Sequence, residues 1–118
     1  MGGGATWECV GNSKKYAKKI AAILPVCGAS LADSVKAQTI AAANLPVWAT
    51  HNEGDPTVTV EFTHKYIRYI NSAPVPPREP AKKTIFPEKG HNAWAKTYDP
   101  LYKENGHNVY EWMLSHHR

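Results

Sequence analysis

The chain alternates short apolar runs with segments whose apolar residues recur at helical spacing. Three runs read as buried strands: "IAAILPVCG" (20–28), "LPVWATHN" (45–52) and "KKTIFPE" (82–88). The first ends at glycine and the others are flanked by Pro, Asn or Lys, as short strands in a covered sheet are. Residues 4–19 read as helical with a break at "GNS" (11–13). "LADSVKAQTIAAA" (31–43) is weakly helical. In "TVEFTHKYIRYINSA" (59–73), Val60, Tyr66, Ile67 and Ile70 fall near helical spacing, so an amphipathic helix is predicted. "PVPPREP" (74–80) can be neither helix nor central strand and serves as a connector. "GHNAW" (90–94) opens a loop, and "HNVYEWMLSHH" (107–117) closes the chain as a helix.

This order, helix–strand repeated and ended by a helix, predicts an α/β fold with about three parallel strands and flanking helices. At 118 residues the chain has room for one domain, 1–118. A three-stranded sheet is thin, and at least one edge needs a cover. A homodimer or a separately supplied N-terminal half would provide it. No apolar run approaches the roughly 18 residues that span a bilayer, so no membrane span is predicted. No basic segment followed by an apolar stretch opens the chain, so no signal peptide is read, and localisation stays open.

Charge changes little. The net charge is +4, and its densest source is Lys14, Lys15, Lys18 and Lys19 in "SKKYAKK". Spacing at i,i+4 gathers these on one helical flank, read as solvated. No arginine cluster or interleaved aromatics join them, so no nucleic-acid partner is predicted. The two cysteines, Cys9 and Cys27, sit in apolar surroundings and read as core residues, with a bridge left open. His107, His116 and His117 lack an acid or Cys at ligand spacing, so no metal is predicted.

Ligands of open parallel sheets gather beyond the carboxyl ends of the strands. Asp55 follows the second strand in "THNEGDP", and His91 follows the third in "EKGHNAW". An acid and then a histidine at strand ends are two thirds of a nucleophile–His–acid triad. The carboxylate fixes the imidazole tautomer, and the imidazole takes the nucleophile's proton. His51, just before the acid turn, and Trp94, with Tyr98, are candidate pocket residues. Ser30 in "CGASLA" is an alternative nucleophile in a loose Gly-x-Ser-x-Ala turn. The glycine position after it is held by Ala32, and its plainer reading is a helix N-cap with Asp33 in the capping-box position.

Four segments together resemble the C-terminal half of an α/β-hydrolase serine esterase of the phospholipase/carboxylesterase, polyhydroxybutyrate-depolymerase-like branch. "MGGGATWECVG" resembles the stretch just after that family's Gly-x-Ser elbow, with Trp7 on the following helix. "IAAILPVCG" resembles its next strand. "LPVWATHNEGDPTVTV" resembles its acid segment, and "KKTIFPEKGHNAWAKTYDP" its histidine segment. The resemblance implies Asp55 as acid, His91 as base, and Met1 and Gly2 as the oxyanion-donating side of the elbow. It implies hydrolysis of a carboxylic ester, small or polymeric, without a cofactor. It places the nucleophilic serine before Met1, so the isolated chain is expected to have little or no esterase activity. A degenerate or interaction module pairing through its sheet edge is the alternative.

Overall fold

The computed structural model describes residues 1–118. At its centre is β1 (Trp48–Gly54), whose first five residues are all buried. Burial on both faces is what a parallel strand between helices requires, and it explains a run with no polar alternation. β2 (Lys82–Lys89) pairs with it in parallel, Trp48 opposite Lys82 through Asn52 opposite Phe86. The register slips before Gly54, which meets Lys89. The crossover is α4 (Glu61–Asn71), which buries Tyr66, Ile67 and Ile70.

The sheet has two regular strands, where the sequence predicted three. Residues 23–26 lie parallel on the other side of β1 but pair only through bridges at Ile23–Val47 and Val26–Thr50. The Ile23 N–H donates to Pro46 O at 3.0 Å, and Ile23 O accepts from Trp48 N–H at 3.1 Å. Pro25 O accepts from Thr50 N–H at 3.0 Å, and the Cys27 N–H donates to Thr50 O at 2.8 Å. Proline has no N–H, so the bond that would make this ladder continuous cannot form at Pro25.

The N-terminal helical stretch is broken as its sequence suggests. α1 (Gly2–Gly11) ends at Asn12, and α2 (Lys14–Lys19) begins after Ser13, whose hydroxyl accepts from Tyr16 N–H. α3 (Ser34–Ala42) is capped by Asp33, which accepts from Lys36 N–H at 2.8 Å. A short helix not predicted, α5 (Trp94–Thr97), occupies the stretch read as loop. α6 (Val109–Leu114) starts with a reciprocal capping box between Asn108 and Glu111.

Successive β1 residues face opposite layers. Val47 and Ala49 join a core with Trp7, Val10, Ile40, Leu45 and Ile70, under α1, α3 and α4. There Trp7 stacks flat on Tyr66 with ring centroids 4.0 Å apart. Trp48 faces the other way, edge-on to Trp112 of α6 at 5.6 Å. Cys9 is exposed rather than in the core, and both cysteines are free thiols. α1 places its buried side on Trp7 and Val10, which leaves Cys9 on the outer side. No helix is long and apolar enough to cross a membrane.

Candidate active site

The acid comes from the turn that ends β1. Asp55 is buried. Its Oδ1 accepts the N–H groups of Thr57 at 2.8 Å and Val58 at 2.9 Å, so the Asp-Pro turn closes on its own carboxylate. The other oxygen, Oδ2, accepts from His91 Nδ1–H at 2.7 Å. Desolvation pushes this carboxyl upward. The bonds from His91, Val58 and Thr57 outweigh it and hold the group below its ordinary value. An ionised carboxylate only accepts, so Nδ1 carries the imidazole proton and Nε2 of the neutral ring is a bare lone pair.

The histidine comes from the end of β2. Gly90 takes φ +101°, a conformation that L side chains rarely adopt, and turns the chain back toward β1. Asn52 on β1 donates to Gly90 O at 3.1 Å and pins that turn. Trp94, at the start of α5, sets its ring edge-on to His91 at 5.4 Å.

Nε2 faces an open cleft of about 300 Å³, walled by Met1, Gly2, Leu24, Cys27, Trp94 and Tyr98. α1 begins there. Its first intrahelical bond runs from Ala5 N–H to Met1 O, so the amides of Gly2, Gly3 and Gly4 have no partner within the helix. The positive end of a ten-residue helix therefore borders the same cleft as His91. A larger hollow of about 460 Å³ between α2 and α3 is lined by residues such as Lys18, Val35 and Thr39, and holds neither dyad member.

Three expectations change. His51 is fully buried and does not wall the cleft. Its Nδ1 accepts from Thr63 Oγ1 and its Nε2 donates to Val58 O, each at 2.8 Å. It stands 3.4 Å behind Asp55 Oδ2, where burial pushes its basicity down and keeps it neutral. β1 is covered on both faces, so an inward side chain there meets protein instead of the cleft. Ser30 caps no helix and does not meet His91. Its buried hydroxyl bonds Glu8 Oε2 and the Tyr66 hydroxyl. Asp33, nearer the helix start, takes the capping role.

Sequence reasoning missed Cys27 as a site residue. Its Sγ lies 3.9 Å from His91 Nε2. Its backbone sits at φ +40°, uncommon for a residue with a side chain. Burial pushes the thiol's pKa above its ordinary value, making it a weaker acid. The one available signal was its place at the carboxyl end of an apolar run, followed by glycine.

No family model matches the chain, and no curated protein matches its sequence. A crystal structure of a thermostable esterase superposes with a TM-score of 0.64 at 21% identity. The alignment covers 99% of this chain and 29% of that one. The chain has the fold of part of that esterase. It spans under a third of the esterase's length, so the likeness concerns the architecture of this portion.

Proposed function

We propose that Asp55 and His91 are the acid and base of an acyl-transfer site that hydrolyses carboxylic esters. The observation that carries this reading is the 2.7 Å bond from His91 Nδ1 to a buried carboxylate, with Nε2 turned to the cleft where α1 begins. His91 Nε2 takes the proton of a nucleophilic hydroxyl as the hydroxyl oxygen bonds to the ester carbonyl carbon. Asp55 stabilises the imidazolium without taking the proton. The tetrahedral oxyanion is stabilised by amides at the start of α1. The imidazolium then protonates the leaving alcohol, and water repeats the cycle on the acyl-enzyme. The esterase-fold likeness supports the same class.

No serine hydroxyl of these 118 residues bonds Nε2. In this reading the nucleophile is a serine immediately before Met1 in a Gly-x-Ser elbow, and the chain alone has little or no esterase activity. Fluorophosphonate labelling tests it. The probe is expected to leave the 118-residue chain unlabelled. It should label the chain extended by its upstream reading frame at that serine, and only while His91 is intact. Stoichiometric labelling of the 118-residue chain, at Ser30 or elsewhere, overturns the reading.

The edge of residues 23–26 supports a second reading. Their ladder bonds run to β1, and no other named strand pairs with them. A strand from another copy or from a first half could add there. Sedimentation of the pure chain distinguishes this: a stable, well-folded monomer counts against it.

A further inference from the structure

Cys27 and His91 reach the cleft from separate parts of the fold, one after residues 23–26 and the other after β2. Donor atoms of Cys27, His91 and Asp55 all lie within 4.8 Å of one another. We propose that Cys27 Sγ and His91 Nε2 form a binding site for a thiophilic divalent cation of the zinc type, with Asp55 holding His91 from behind.

The spacing fits. Zinc sits about 2.3 Å from a thiolate sulfur and about 2.0 Å from an imidazole nitrogen. Donors 3.9 Å apart then subtend roughly 125–130° at the ion, a widened tetrahedral angle needing no backbone shift. The His91 Nδ1–H is given to Asp55 Oδ2, which leaves the Nε2 lone pair for the metal. This is the carboxylate–histidine–metal arrangement that fixes the tautomer and strengthens the donor. The remaining positions open onto the cleft and are filled by water. A sulfur–nitrogen pair selects zinc or cadmium over magnesium or calcium, which prefer oxygen. On binding, the Cys27 S–H bond breaks, a metal–sulfur bond forms, and the proton leaves to solvent.

The ion would occupy the nitrogen that the proposed hydrolysis needs free, so the site would be inhibitory in an active whole enzyme. The site itself does not rest on that activity, and its test uses no ester.

The probe is Cd²⁺, titrated into the full chain carrying Cys9→Ser to remove the exposed thiol. The expected result is one Cd²⁺ per chain, seen as a saturable cadmium–thiolate absorption band. Cys27→Ser should abolish the band. His91→Gln and Asp55→Asn should each weaken binding about tenfold or more. A band that survives Cys27→Ser, or an affinity unchanged by His91→Gln, overturns the proposal. Nitrogen NMR of the Cys9→Ser protein covers the case of a variant that does not fold. The His91 Nε2 resonance should move on adding Zn²⁺, and an unmoved resonance overturns the proposal. Either outcome leaves the fluorophosphonate result for the Asp55–His91 reading unchanged.

Discussion

Adding one methyl group to α1 tests how that helix is seated against the site. A Cβ on Gly3 would strike Val26 O and lie 2.9 Å from Gly28 Cα. On Gly4 it would lie 2.7 Å from Ala29 O. These obstacles are backbone atoms, and they cannot swing aside as a side chain could. Overpacking costs about 1–3 kcal/mol, and a rigid obstacle puts Gly3→Ala at the upper end. Alanine's better helix propensity returns about 1 kcal/mol. The net is a loss of about 2 kcal/mol, a fall of roughly 10 °C in melting temperature for a domain of this size. Gly2 has nothing within 4 Å, so Gly2→Ala should gain about 0.5 kcal/mol instead. The assay is urea denaturation with thermal melting of the three single variants. Gly3→Ala as stable as Gly2→Ala would refute the close seating of α1 on residues 26–29. It would also remove the reason for placing the helix's free amides at the cleft.

Other outcomes follow from the site and its surroundings. Asp55→Asn keeps an oxygen for the Thr57 and Val58 amides but sets an N–H against His91 Nδ1. The ring proton should move to Nε2, visible by nitrogen NMR, and on the proposed reading ester hydrolysis by the chain extended to its nucleophile should fall about 10⁴-fold; an unchanged tautomer contradicts this. Ser30→Ala leaves the buried Tyr66 hydroxyl and Glu8 short of a partner, and should cost about 1–3 kcal/mol in denaturant melts. Its hydroxyl is committed to that network, so the ester-probe result should not change. The Lys36 ammonium first, then the Ser30 hydroxyl, hold the Glu8 carboxyl below its ordinary value of 4.5. A carboxyl lowered in the folded state stabilises above the unfolded value and loses that contribution as pH falls through the folded one. The melting-temperature gap between the native chain and Glu8→Gln should therefore be full at pH 7 and close as pH drops below about 4.5; a gap that widens in acid would refute the pairing.

Periodicity in the sequence determined much of the architecture. The helical spacing in 59–73 anticipates α4, and the "GNS" break separates α1 from α2. The runs at 45–52 and 82–88 anticipate the two strands; β1 is buried on both faces over its first five residues, whereas β2 buries only Thr84 and Phe86. The order acid-then-histidine at strand ends was legible too, since a parallel sheet places such residues at one rim. What stayed hidden depends on contacts between distant residues. The run 20–28 reads as a strand until the missing Pro25 N–H is seen to fall on the ladder side of residues 23–26. His51 directly precedes the acid turn, yet its ring lies behind Asp55, held by Thr63 of α4 and by Val58 O. Ser30 suits a cap by local spacing, but Glu8 and Tyr66 claim its hydroxyl from 22 and 36 residues away. Cys27 approaches His91 across 64 residues of chain. The sequence by itself determined which segments become helix and strand, through patterns repeated within a few residues. Only the tertiary structure decided which polar atoms face one another, because those pairings are set by where separate elements pack.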